Sequence, residues 1–227
     1  VKYPKIDEYQ ELYARYISAN GRSVTELVDM AGDLDGKQVL DLCGGAGEIA
    51  VECARRGAKV LLVDREHDMV KKELMFLSGV SVRIAQVENL LWLPEFFASF
   101  DVVFCRQAVN YWMTDELAFD VSQVLKPGGQ FIFNTFNTPP PTVPQVLKYS
   151  MDEGKPDCSL KSGPVFVEIF YLVGNMVNHC QCREGLPMHL TQFRWITPEE
   201  FDAWLSPHFK VEVARKQKTD LYLCKKL

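Results

Sequence analysis

Two features of the chain could do chemistry together. In VLDLCGGAGE, at 39–48, an apolar run ends in glycines just before a helical pattern. Gly44 and Gly45 let the backbone turn sharply and let a ligand come close. The helix that follows presents unpaired N–H groups to that turn. Asp41 adds a carboxylate, which suits a zwitterionic ligand whose ammonium needs an acceptor and would repel a pyrophosphate. The loop also lacks the Lys-Ser/Thr pair that a nucleoside triphosphate requires. The second feature is Asp64, which closes the apolar run VLLVD at 60–64. A carboxylate at the end of a second strand can take both hydroxyls of a ribose. Taken singly, the glycines could be an ordinary turn and Asp64 a helix-capping acid. Within one strand–helix–strand unit, the pair points to a nucleoside-bearing cofactor.

Positioning these groups takes alternating strands and helices. Hydrophobic periodicity predicts helices over 7–19 and 24–30, a strand over 38–42, a helix over 48–56 and a strand over 59–63. Helix 68–77, strands 82–87 and 102–105, helix 114–125 and strand 130–134 follow. Several strand runs are almost continuously apolar, as in a parallel sheet covered on both faces. Right-handed crossovers then give a doubly wound sheet. The rhythm breaks at 137–144, where Pro139, Pro140, Pro141 and Pro144 exclude a helix or central strand. Residues 164–196 read as two or three antiparallel strands, with Gly174-Asn175 as a tight turn. Thr197-Pro198-Glu199-Glu200 is a helix start with a threonine cap, proline at the first position and glutamate at the third. Two final strands, 210–214 and 220–224, would form a hairpin.

Composition sets the outer bounds. The chain has 227 residues, 47% hydrophobic and 24% charged, which suffices for one large core with an accessory subdomain. The net charge of -5 disfavours a broad nucleic-acid surface. Seven scattered cysteines, several in apolar runs, read as buried free thiols in a reducing compartment. Cys180-Gln181-Cys182 has no second cysteine pair to complete a zinc site, and no clustered acids suggest another metal. The sequence shows neither a basic-then-apolar leader nor an 18-residue apolar run. A cytoplasmic protein without membrane association is therefore expected.

The segments VLDLCGGAGEIA at 39–50, KVLLVDREHDMV at 59–70, FDVVFCRQAV at 100–109 and LKPGG at 125–129 resemble, in order and spacing, the class I S-adenosylmethionine (SAM)-dependent methyltransferases of small molecules. The resemblance spans about residues 37–136. It implies an α/β fold with a Rossmann-like, seven-stranded, mostly parallel sheet, helices on both faces and an antiparallel flap inserted into the chain. The expected organisation is a helical lid over 1–36, a SAM-binding core over 37–136, a substrate flap over 137–196 and a helix and hairpin over 197–227 completing the core. By the same resemblance, Asp41, Gly44, Gly45 and Gly47 would surround the methionine part of SAM, and Asp64 would hold the ribose. Arg65 and Met69 would flank the adenine, with the Met69 thioether as an apolar plate. Many relatives carry an acid after the third strand that accepts from the adenine amino group. Gln86 stands there in this chain, followed by Val87, with Glu88 nearby as a substitute. Cys105 and Arg106 would supply backbone contacts, and Tyr13 would reach SAM from the lid.

Methyl transfer needs an in-line lone pair at reactive distance, and a base is useful where the acceptor must lose a proton. His179 and His189, in the flap, are the acid–base candidates, with outward-facing polar positions as the alternative for each. Tyr9, Gln107, Tyr111, Trp112, Arg194 and Trp195 are candidates for shaping a substrate pocket. Tyr111 also serves as a candidate catalytic group. Arg194 could pair with a substrate carboxylate or with a local acid. These residues imply methylation at nitrogen or oxygen of a small molecule, nitrogen slightly favoured, by a monomer or homodimer. The alternatives are a tRNA or protein methyltransferase and a non-catalytic SAM-binding scaffold. Arg106-Gln107-Ala108-Val109 replaces the Asn/Asp-Pro-Pro-Tyr/Phe motif of base-methylating relatives, which argues against that chemistry.

Overall fold

The computed structural model describes residues 21–89, 93–137, 139–152, 155–157, 165–183, 189–215 and 219–227. Helix α1 (Gly21–Met30) is followed by β1 (Gln38–Leu42), α2 (Glu48–Arg55), β2 (Lys59–Asp64), β3 (Val80–Ile84) and β4 (Phe100–Arg106). Next come α3 (Val109–Trp112), α4 (Asp115–Val124) and β5 (Leu125–Phe136). Five strands follow: β6 (Gln145–Asp152), β7 (Lys155–Asp157), β8 (Val165–Val173), β9 (Met176–Arg183) and β10 (His189–Arg194). Helix α5 (Pro198–Leu205) and strands β11 (Phe209–Arg215) and β12 (Thr219–Lys226) complete the order. The expected helix over 7–19 lies outside the described residues.

These elements form two units. One consists of Arg22–Asn137 and Thr197–Leu227 and holds a seven-stranded sheet in the order β11-β12-β5-β4-β1-β2-β3. Strands β1 to β5 run parallel, and β12 pairs antiparallel with β5 and with β11. This is the Rossmann-like, mostly parallel arrangement expected, with the terminal hairpin inserting its last strand next to β5. Both faces of the sheet are covered. On one face, Val39, Val60, Leu62, Phe104 and Ile132 pack with Leu27 and Val28 of α1 and with Ile49, Ala50 and Cys53 of α2. On the other, Phe133 lies between Tyr222, stacked at 4.5 Å, and Phe201 of α5 at 5.4 Å. The alternation of Phe131, Ile132 and Phe133 across β5 follows from the two-residue period of a strand. The other unit, over the described part of Thr138–Ile196, is an antiparallel sheet in the order β10-β9-β8-β6-β7. Gly174, at φ 61°, makes the tight turn between β8 and β9.

Three local expectations are corrected. Residues 68–77 do not form one helix but two short 3-10 turns, His67–Met69 and Lys72–Phe76. Val70 and Lys71 between them are extended. Val70 and Leu74 are buried while Met75 and Phe76 stay exposed, so no apolar stripe exists to sustain a helix through packing. Strand β3 starts and ends earlier than the expected 82–87, and Val87 sits in a turn. Strands β6 and β7 were not expected, and they raise the antiparallel sheet from three strands to five.

Candidate active site

The site candidates of the first unit collect at the carboxyl ends of β1 to β4. Strands β1 and β4 are parallel neighbours, and the chain leaves β1 towards β2 and β4 towards β5, on opposite sides. Ligands of open α/β sheets bind in the crevice created by such a reversal.

The loop after β1 is tightly constrained. The Gly44 N–H donates to the Val63 carbonyl at 3.1 Å and the Gly47 N–H to the Gly44 carbonyl at 2.8 Å. A Cβ on Gly44 would stand 2.7 Å from both Asp41 Oδ2 and Leu62 Cγ, so a side chain there displaces the carboxylate. Gly47, at φ 80°, caps α2 without a side-chain hydrogen bond, and a Cβ on it would run into Leu74. Cys43, at φ 55°, holds a left-handed conformation that is uncommon for a residue with a Cβ. Its thiol is pushed well above the usual range by a hydrogen bond with the Cys105 thiol and by burial. Cys105 is fully buried.

Asp41 is the most unusual group of the site. It is 1% exposed, and neither carboxylate oxygen has a hydrogen-bond partner. Burial pushes its pKa up to about 7, against the lowering effect of the Arg106 cation. Arg106 is itself buried at the end of β4. It donates through Nη2 to Glu48 Oε2 at 2.7 Å, and its Nη1 is buried without a partner. Asp64, half-buried at the end of β2, accepts from the Gly45 N–H at 2.8 Å and from the Glu66 N–H at 2.9 Å. Burial raises its pKa, and the backbone N–H groups of Glu66, Gly45 and Arg65 pull it back. A carboxylate offers about four acceptor sites, so Asp64 keeps room for a further donor.

The adenine-side candidates lie past the ends of β2 and β3. Arg65 pairs with Glu66 at 3.0 Å, and Met69 is half-buried in the first 3-10 turn. Asp64 is level with Ile84 across the β2–β3 ladder, which puts residues 86–88 beside the end of β2. Gln86 is exposed and accepts from Asn89 Nδ2 at 3.4 Å, Val87 is buried, and Glu88 is exposed. After β4, Gln107 takes φ 57° and its N–H donates to Asn134 Oδ1 at 2.9 Å. The single helical turn α3 then carries Tyr111, half-buried, and Trp112, buried with no partner for its indole N–H.

The remaining candidates belong to the antiparallel unit. His179, on β9, is level with Thr191 of β10 and Phe170 of β8, and His189 opens β10 opposite Gln181. Arg194 ends β10, and Trp195 is buried and donates through its N–H to the Asn175 carbonyl at 2.7 Å. Tyr9 and Tyr13 lie outside the described residues. Sequence reasoning missed Glu48, Asn134 and Thr135. Asn134 and Thr135 are buried polar residues at the end of β5, and Thr135 donates to Asn110. The available signal was the polar pair interrupting FIFNTF at 131–136, since buried polar groups need assigned partners.

The family model described as "Methyltransferase domain" matches residues 33–206. The chain belongs to this methyltransferase family. Its fold is Rossmann-like, as in solved methyltransferase structures. Among curated proteins it is 34% identical over 116 residues to a ubiquinone biosynthesis O-methyltransferase of Pseudomonas fluorescens (strain SBW25), covering 50% of each chain. It is 30% identical over 151 residues to a protein of the same name from Xanthomonas euvesicatoria pv. vesicatoria (strain 85-10), covering 60% of this chain and 62% of that one. The chain thus spans between half and two thirds of these relatives. Its fold matches the SAM-bound structure of CalS10, an amino pentose methyltransferase from Micromonospora echinaspora, with TM-score 0.73 at 16% identity over 100% of both chains. The chemistry of the site fits the donor. The unpartnered Asp41 carboxylate suits an ammonium, the Asp64 lone pairs suit vicinal hydroxyls, and the glycine loop leaves room for close approach.

Proposed function

We propose that this methyltransferase domain transfers a methyl group from SAM to nitrogen or oxygen of a small molecule. The observation that carries the reading is Asp41: a buried carboxylate with two unpartnered oxygens beside a glycine loop, one strand away from Asp64. In this reading Asp41 accepts from the donor's ammonium and Gly44, Gly45 and Gly47 leave space for its methionine part. Asp64 holds the ribose hydroxyls through the acceptor capacity left by its backbone N–H donors. Arg65, Met69, Gln86, Val87 and Glu88 bound the adenine, and Cys105 and Arg106 bound the sulfonium side. When bound, the donor supplies an electrophilic methyl on sulfur. The protein fixes its direction and excludes water, so that an acceptor lone pair can approach in line.

Gln107, Tyr111 and Trp112 are the proposed acceptor-side residues of the parallel-sheet unit. Tyr9, Tyr13, Arg194 and Trp195 are proposed separately as donor or acceptor contacts. His179, His189 and Tyr111 are proposed for the proton that an amine or hydroxyl must lose. The names of the curated relatives support oxygen as acceptor, and the amino pentose enzyme supports a nitrogen-bearing sugar. A methyl-transfer screen with labelled SAM against amines, amino sugars, phenols and carboxylates separates them. Asp64→Ala should weaken SAM binding in calorimetry by more than roughly 1 kcal/mol, since a hydrogen bond to a charged group contributes about 1.5 to 3 kcal/mol. Unchanged affinity removes Asp64 from the site, and labelling of no small acceptor counts against the substrate class.

A further inference from the structure

Three buried polar atoms near the glycine loop lack partners: both carboxylate oxygens of Asp41 and Nη1 of Arg106. Folded proteins seldom leave such atoms unsatisfied, and each case calls for an explanation, a functional role among them. Arg106 is not consumed by its bond to Glu48. That bond occupies Nη2 at 2.7 Å, and the rest of the guanidinium charge, on a side chain 6% exposed, acts in a poorly solvated region. Asp41 is reached by that charge, and beside it only the Ala50 backbone N–H favours its ionised form.

We propose that Arg106 is a positioning residue for donor binding: pinned by Glu48, it keeps the Asp41 carboxylate ionised for the donor's ammonium and so links donor affinity to protons. This rests on the reading of Asp41 as the ammonium acceptor. An ammonium binds a carboxylate far better than a carboxylic acid, so affinity falls wherever Asp41 takes up a proton. The groups around Asp41 set where that happens. Arg106 on β4 favours the ionised form. Glu48 on α2 and Asp64 on β2 oppose it. Cys53 on α2 and Cys43 in the loop are held as thiols by thiol pKa values raised well above the ordinary range, Cys53 chiefly by burial and Cys43 chiefly by its bond to Cys105. Asp41 is level with Phe104 across the β1–β4 ladder, two residues before Arg106, and an opposite charge within about 4 to 6 Å of a carboxylate lowers its titration by about 1 to 3 pH units. Removing Arg106 should therefore move the loss of affinity to higher pH, and removing the Glu48 charge should move it to lower pH.

The test is calorimetric binding of S-adenosylhomocysteine to the full chain between about pH 5.5 and 8.5, with thermal melts confirming that each protein is folded. The ligand's own ammonium titrates identically against every variant, so differences between variants belong to the protein. Wild type should lose affinity as pH falls through the neutral range, and Asp41→Asn should bind weakly with no such break. Arg106→Gln should shift the break upward by about one unit or more, giving roughly tenfold weaker binding at neutral pH that narrows as pH rises. Arg106→Lys should restore most of the wild-type profile, and Glu48→Gln should shift the break the other way. An equal loss at every pH in Arg106→Gln, or a Glu48→Gln shift in the same direction as Arg106→Gln, overturns the proposal. If Arg106→Gln does not fold, the direction of the Glu48→Gln shift decides alone. Absence of binding to wild type at any pH strikes the donor-site reading itself, which distinguishes that failure from this one.

Discussion

Asp41 keeps its charge at a cost to the fold. In an unfolded chain its carboxyl ionises near pH 3.8, and in the structure burial raises that to about 7. Above pH 7 both states are ionised and the folded state bears the whole desolvation cost. Between pH 7 and 4 the folded state holds a proton that the unfolded state has lost, and the cost fades. Below pH 4 both are protonated and nothing remains. Asp41→Asn should therefore stabilise the protein at pH 8 by on the order of 3 kcal/mol, and hardly at all at pH 3.5. Urea unfolding at the two pH values measures this. A stability that did not change at pH 8 would mean that Asp41 is better solvated than its surroundings indicate. Stability gained where binding is lost is the expected mark of a group kept for function.

Elements hold such residues in place only as well as their ends are fixed. Helix α5 starts with a complete capping box: the Glu200 N–H donates to Thr197 Oγ1 at 3.2 Å, and the Thr197 N–H donates to Glu200 Oε2 at 3.0 Å. Thr197→Ala should cost about 1 kcal/mol in chemical denaturation. Donor affinity should stay unchanged, since the box lies outside the glycine loop. This box was legible in Thr197-Pro198-Glu199-Glu200 because capping depends on neighbours in sequence. The parallel strands were legible for a related reason: burial on both faces demands nearly continuous apolar runs, as in β1 and β4. The segment at 67–76 was not legible, because Val70 and Leu74 fit a helical period whether or not a helix forms between them. Arg106 pairing with Glu48 was also beyond reach. The two are 58 positions apart, and only the side-by-side placement of β1 and β4 brings the end of β4 near the start of α2. Asp41 and Asp64 were recognisable as chemistry from their positions at strand ends, but the missing partners of Asp41 became visible only with the packing.

At the scale of the whole molecule, charge and topology dominate. The chain carries a net charge of -5. Among the described residues no helix is long and apolar enough to cross a membrane. Long-range repulsion should keep polyanions away, so filter binding with bulk tRNA in about 150 mM salt should show no affinity tighter than roughly 100 µM. Salt-sensitive micromolar retention would revive an RNA substrate. The position of β12 has a separate consequence. Residues 219–225 hydrogen-bond to one side of β5, and the whole antiparallel sheet β6 to β10 lies between these strands in sequence. A ribosome delivers β5 long before its antiparallel neighbour. Until then the nascent sheet displays an open, apolar margin at Phe131 to Phe133, the kind of margin that chaperones cover and that recruits other unfinished chains.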